Sequence, residues 1–353
     1  MAEIGILTFH RCINYGSYWQ ARCLTEGLRR RGFDAVLLDH HSDAIRWQEW
    51  RCALRPVPGA WGERDDRELY ARKARKFFAA FEQLPMSQPF GIDSPEDADG
   101  VDLVLVGSDE VWNPRHPWYG GQSIFYGDGL RAGSRASYAA SFGNHSATSG
   151  LEAFWIEKLK AFHNISVRDA NSRRIVADAL EFNPALVLDP VLQFADVIDY
   201  QPVDDGAPYI AVYGHDFPEW FQQRVRTWAA ENGRRVISIG YRNWWVDEHW
   251  IEAGPEEFAA FIAASDAVVT NFFHGCVFAL VNGKPLATAP SDYRFNKVRD
   301  LTAALGAERH MVAEDTPMAQ FHEALSTPPD LAVSHRITQL RQQSDAYLDH
   351  VLG

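Results

Sequence analysis

Apolar and polar positions along this chain fall into alternating short apolar runs and segments of helical period. The run EIGILTF is followed by SYWQARCLTEGLRRRG, whose helical period stops at Gly32, and then by a second apolar run, DAVLLDH. A Trp- and Arg-rich stretch leads into RELYARKARKFFAAFEQL, an amphipathic helix expected to end before Pro85. VDLVLVG is apolar throughout, as a strand buried on both faces of a parallel sheet is. ASYAAS, the helix LEAFWIEKLKAF, NISVRD and ALVLDPVL continue the alternation.

FADVIDYQPVDDGAP interrupts it, mixing acids, prolines and glycine as linkers do. The pattern then restarts with YIAVYGH, PEWFQQRVRTWAAENG, RVISIGY, PEEFAAFIAAS, DAVVTN, HGCVFALVNG and PLATAP. Two runs of strand and helix predict an α/β protein of two Rossmann-like domains whose parallel sheets face a cleft. The expected division is 1–193, 194–330 and a closing helix within 331–353 that packs back on the first domain.

Composition narrows the function. The 353 residues suffice for two domains of about 100–200 residues each, and 46% apolar residues can build real cores. A net charge of −13 argues against nucleic acid as a partner, while leaving room for a local basic pocket. No run approaches about 18 apolar residues, so no membrane span is expected. The start, MAEIGILTFHR, lacks the basic region and long apolar core of a secretion signal. Cys12, Cys23, Cys52 and Cys276 form no CxxC pair and no His/Cys metal spacing, which predicts reduced thiols, a cytoplasmic protein and no metal.

Ligands of open α/β sheets bind at the carboxyl ends of strands, and this ranks the polar clusters. After the first strand, Asn14, Tyr15 and Gly16 form a turn. They serve either the turn alone or a loop that brings backbone N–H groups and Gln20 to a ligand. Gly107, Ser108 and Asp109 end VDLVLV, placing a carboxylate at the mouth of the sheet; the plainer reading of Asp109 is an N-cap. Arg168 ends NISVRD, where a guanidinium suits a carboxylate or phosphate or else pairs with Asp169.

In DAVVTNFFHGCVFALVNGKP the strand ends at Asn271. A helix then begins near Phe273, His274 and Gly275, so its unpaired N–H groups favour an anion beside an imidazole. Cys276 offers a rival reading as a nucleophile, although neighbouring helical residues point apart. Arg294 and Lys297 either extend a positive pocket or open a solvated helix. Tyr241, Trp244 and Trp245 are candidates for stacking on a sugar or nucleoside. Neither a Walker A motif nor a GxGxxG fingerprint is present.

Taken in order, IGILTFHRCINYGSYWQA, VLVGSDEVWNP, SYAASFG, ISVRD, LDPVL, DAVVTNFFHGCVFALVNGKP and RFNKVRDL resemble the polysaccharide pyruvyltransferase family over about residues 3–305. The resemblance implies a GT-B-like pair of domains, with the acceptor on the first and the donor on the second. It also implies transfer of a pyruvyl group from phosphoenolpyruvate to hydroxyls of a glycan or lipid-linked sugar, as a ketal, without a further cofactor. By motif, Asp109, Arg168 and His274 carry the chemistry. Phe272 and Cys276 stand where the family has small hydroxyl residues, and Tyr18, Trp19 and Arg22 replace an aliphatic stretch; these departures bear on the acceptor. A sugar-nucleotide-dependent glycosyltransferase and a non-catalytic carbohydrate-binding relative are the alternatives.

Overall fold

The computed structural model describes residues 3–56, 64–203 and 206–353. Met1 and Ala2, in the segment read for a secretion signal, and Asp204 and Asp205 of the expected linker lie outside the described residues. The chain forms two compact units. One comprises Met1–Glu49, Gln83–Val197 and Thr338–Gly353, the other Trp50–Glu82 and Ile198–Ile337. The expected division, 1–193, 194–330 and a closing helix within 331–353, made no provision for Trp50–Glu82, which the structure groups with the second unit. An amphipathic period tells that a helix covers a sheet, but not which sheet.

The first unit opens with β1 (Glu3–Leu7), α1 (Tyr15–Arg30), β2 (Asp34–Leu37) and the two-residue β3 (His40–His41). The chain continues through α2 (Asp43–Leu54) and α3 (Arg64–Phe81). It then builds β4 (Phe90–Gly91), β5 (Val101–Val106), β6 (Ala132–Ser137), α4 (Ala153–Leu159), β7 (Ser166–Val167), α5 (Ala170–Leu180), β8 (Ala185–Leu186) and α6 (Pro190–Gln193). The main sheet has the order β2-β1-β5-β6, all parallel. Leu7, Val104, Val106, Trp112, Phe125 and Phe142 anchor its core, each large apolar side chain contributing about 1.5–3 kcal/mol by leaving water. The run ASYAAS is strand only to Ser137, because Ala139 adopts a left-handed φ of 55° that ends the pleat.

The second unit contains β9 (Tyr209–Tyr213), α7 (Glu219–Glu231), β10 (Arg235–Ile239), β11 (Glu248–Trp250), α8 (Pro255–Ala264), β12 (Ala267–Thr270), α9 (Phe273–Val281), β13 (Leu286–Thr288), α10 (Asp292–Leu305) and α11 (Met318–Ser326). Its sheet is parallel in the order β11-β10-β9-β12-β13, over a core that includes Ile210, Val212, Phe221, Val225, Val269 and Phe321. The last helix, α12 (Leu331–Leu352), gives its later turns to the first unit, where Tyr347 donates to the Ser137 carbonyl at 2.7 Å.

The α/β class with parallel sheets therefore follows the alternation in the sequence. Strand order also fixes where ligands go. The order reverses direction between β1 and β5 in the first unit and between β9 and β12 in the second, and crevices open outside the carboxyl ends at such switch points.

Candidate active site

The first switch point is a network of short polar contacts around Asp109. Asn14 caps α1, its Oδ1 accepting from the Ser17 amide at 3.1 Å, and Ser17 Oγ then donates to Asp109 Oδ2 at 2.8 Å. Asp109 Oδ1 accepts from the Glu110 amide at 2.9 Å and from Arg168 Nη2 at 3.1 Å. Asp109 itself sits at φ 70°, a conformation that side-chain-bearing residues adopt only where surrounding contacts enforce it. Gly107 precedes it at φ 117°, and a Cβ there would lie 2.3 Å from the Tyr138 carbonyl oxygen.

Arg168 meets carboxylates other than that of its sequence neighbour Asp169. Its side chain is 2% exposed and joins two carboxylates, Asp109 and, at 2.9 Å through Nη1, Asp189. Burial opposes its charge, but those two neighbours outweigh burial and hold the guanidinium above its ordinary pKa. It thus fixes Asp109 in place and is largely satisfied before any anion arrives. Its sequence neighbour Asp169 is occupied elsewhere, capping α5 through the Ser172 amide at 2.7 Å and accepting from Ser141 Oγ at 2.6 Å.

Tyr15, Gly16 and Gln20 are buried, so the loop reading does not extend to them. Gln20 Nε2 donates to Thr8 Oγ1, Phe9 O and Ser17 O at 2.9–3.1 Å, while its Oε1 accepts from Ser108 Oγ at 3.1 Å. The amide is committed to clamping Ser108 and does not reach toward a ligand. Sequence reasoning missed two supports of this loop. Asp39 binds Arg11 at 2.6 Å and His10 at 2.9 Å; burial works against its charge, yet these partners keep its carboxyl well below the usual range. Glu49 accepts from the Ile13 amide at 3.3 Å, and burial raises its pKa to about 7.

The second switch point is aromatic and cationic. Asn271, at the end of β12, donates to the His215 carbonyl at 2.7 Å and so ties the exits of β9 and β12 together. Phe272 packs against Tyr213, His215 and Tyr241 at 5.0–5.4 Å between ring centroids. The Arg294 guanidinium lies 4.2 Å over the Phe272 ring. Phe272 thus offers its ring as a platform for a planar cation. It is also the N-cap of α9, where it makes no side-chain capping hydrogen bond.

His274 is the second residue of α9, buried and edge-on to Phe273 at 5.1 Å. Gly275 packs tightly on β12, since a Cβ there would stand 2.1 Å from Thr270 Oγ1. Thr270 is itself held, donating to Tyr213 O at 2.6 Å and accepting from the Phe272 amide at 3.0 Å. Cys276 is fully buried and its thiol is pushed up to about 12 by burial, which removes it as a nucleophile. Lys297 is buried with its ammonium 5.4 Å from the Tyr293 ring.

The expected stacking surface at 241–245 is mostly core. Tyr241 is buried among His215, Tyr213 and Phe272, and Trp245 packs edge-on to Phe217 at 5.7 Å. Trp244 alone of the three is exposed, and the Arg242 guanidinium covers it at 5.2 Å. Two further residues escaped the sequence reading. His215 follows β9 as His274 follows β12, a signal the strand-end rule contains; its Nδ1 meets Asp216 at 2.6 Å and burial lowers its pKa. Lys73 arrives from α3 and donates to the Gly240 carbonyl at 3.0 Å, with nothing in an amphipathic helix rich in charged residues to mark it out.

Among the described residues no group of three or more His, Cys, Asp or Glu side chains is placed to hold a metal ion, and no helix is long and apolar enough to cross a membrane. No curated protein matches the sequence. Solved structures with a similar chain course include UDP-GlcNAc 2-epimerase from Methanocaldococcus jannaschii, at 11% identity over 92% of this chain and 91% of that one, TM-score 0.47. The Neisseria meningitidis UDP-GlcNAc 2-epimerase gives 9% identity over 97% and 99%, TM-score 0.47, and an E. coli heptosyltransferase 14% over 82% and 89%, TM-score 0.40. The model of the polysaccharide pyruvyl transferase family matches residues 14–290, a span that takes in both switch points with Asp109, Arg168 and His274, and the chain accordingly belongs to that family.

Proposed function

We propose that this protein transfers the pyruvyl group of phosphoenolpyruvate to two hydroxyls of a glycan or lipid-linked sugar, forming a pyruvate ketal and releasing phosphate. The donor is a small phosphorylated carboxylate with up to about three negative charges at neutral pH. The observation that carries the proposal is the Arg294 guanidinium set over Phe272 at the N-terminal end of α9, where a cation and the positive end of the helix dipole converge at the second switch point. Such groups, fixed in a water-poor site, stabilise the charge of phosphate as it departs.

In the first step the double-bond electrons of the donor take a proton at the methylene carbon, and a sugar hydroxyl oxygen bonds to the adjacent carbon. The hydroxyl proton passes to a base. The bond from that carbon to the phosphate oxygen then breaks, the resulting oxocarbenium is captured by a second hydroxyl, and its proton leaves with phosphate or solvent. Asp109 is the candidate base in the first unit: its carboxylate is held by Ser17, Glu110 N–H and Arg168. His274 is the candidate for proton transfer or phosphate contact in the second, and Arg168 acts through Asp109 as a positioning residue. The same proposal puts the reaction in the cytoplasm, in keeping with four cysteines that are all free.

The test is release of inorganic phosphate from phosphoenolpyruvate in the presence of a panel of glycosyl acceptors, with mass spectrometry of the product. A pyruvyl ketal on the sugar is expected. Turnover of sugar nucleotides with no response to phosphoenolpyruvate would overturn the reading.

A further inference from the structure

We propose that Lys73 is a second cation for the anionic donor, carried by α3 to the ends of β9 and β10, where it and Arg294 bracket the rings of His215, Tyr241 and Phe272. This inference rests on the pyruvyl-transfer reading and adds a residue to it from a segment that the alternating pattern assigns to the other half of the chain.

The placement is fixed by several contacts along one face of α3. Asp66, Tyr70 and Lys73 follow the spacing of that face and all meet the three residues after β10. Arg242 donates to Asp66 at 3.0 Å through Nε, the Arg242 amide donates to Tyr70 Oη at 3.0 Å, and Lys73 Nζ donates to Gly240 O at 3.0 Å. One turn further on, Lys76 pairs with Glu257 at 2.7 Å, and Phe78 stacks on Trp50 at 5.2 Å. The Lys73 ammonium ends 4.6 Å over the Tyr241 ring, Tyr241 lies 5.4 Å from Phe272, and Arg294 covers Phe272 at 4.2 Å. The two cations also act together on His215, whose protonated form both disfavour.

A lysine at 4% exposure is a costly choice for a helix face that continues into Phe77 and Phe81. Burial lowers its pKa to about 7, with the Cys52 thiolate acting in the opposite sense, so the free protein holds this amine close to half-protonated at neutral pH. A phosphate or carboxylate brought to the cluster favours the ammonium. Donor binding therefore takes up a proton, and affinity falls as pH rises past 7. The other groups facing the site shape the test. His215 titrates below its ordinary range, Tyr70 and Tyr241 are pushed up by burial, and Asp66 is paired with Arg242. Cys52, the other group whose charge acts on Lys73, is removed by Cys52→Ser.

The experiment is calorimetric titration of phosphoenolpyruvate into the full-length Cys52→Ser protein between about pH 7 and pH 9, above the second phosphate ionisation near 6. It is run in buffers of different ionisation enthalpy, alongside Lys73→Met and Lys73→Arg in the same background. The parent is expected to bind with net proton uptake and to weaken by about tenfold over the interval. Lys73→Met should bind about tenfold more weakly at pH 7, without proton uptake, and meet the parent near pH 9. Lys73→Arg should keep the affinity and lose the pH slope. No binding by the parent overturns the pyruvyl-transfer reading itself. Binding by Lys73→Met with the parent's affinity and slope overturns the role of Lys73 alone. If Lys73→Met fails to fold, a Lys73→Arg protein that retains the parent's pH slope has the same overturning force.

Discussion

The guanidinium of Arg168 lies 3.1 Å from the carboxylate of Asp109, and its other amino group holds Asp189 at 2.9 Å. The arginine is thus the buried link between the loop that ends β5 and the cap of α6, where Asp189 also accepts from the Val191 amide at 3.0 Å. Asp109 is positioned from three sides as a result, by a side chain from α1, by the amide that follows it and by Arg168.

Arg168→Met is expected to destabilise the protein by about 3–5 kcal/mol, because it leaves two carboxylates in a poorly solvated site without their counter-charge. Asp109 retains 13% exposure, which favours the lower end of that range. Denaturant unfolding measures it. An unchanged midpoint together with lost activity would mean that Arg168 grips a ligand and not Asp109.

Asp109→Asn and His274→Ala are each expected to lower turnover by about 10²–10⁴-fold, as loss of a proton-transfer residue does, and Asp109→Asn also lowers the unfolding midpoint because it removes one of the two counter-charges of buried Arg168. Phosphate release from phosphoenolpyruvate is the readout. A correctly folded variant with near-normal turnover removes that residue from the mechanism.

Gly275→Ala is expected to cost roughly 1–3 kcal/mol through overpacking, since the new methyl must displace Thr270, whose hydroxyl bridges β9 and α9. A thermal melt at the wild-type midpoint would show that the helix can step back without loss.

Glu49 gives a pH signature. Its pKa rises from 4.5 to about 7 in the folded protein, so between those values the folded state binds more protons than the unfolded one and stability falls as pH climbs. The burden is absent below pH 4.5 and complete above about 7. Glu49→Gln should therefore raise stability at pH 8, by up to about 3 kcal/mol, and change little at pH 4. Equal effects at both pH values would show that the carboxyl is not held in this way.

The periodicities of 2 and 3.6 residues, and the small, amide and charged residues at strand exits, determined the α/β class, the parallel strands and the switch-point loops of Asp109 and His274. They do so because burial on both faces of a strand and the start of a helix leave local, composition-level marks. Partnership carries no such mark. That Arg168 binds Asp109 and Asp189, that Gln20 spends its amide on Ser108, that Phe272 supports Arg294, and that α3 brings Lys73 to Gly240 all join residues between 21 and 167 positions apart. Only tertiary packing decides such pairs, because a side chain's charge and exposure depend on what the folded chain sets beside it, and neighbours in sequence say little about that.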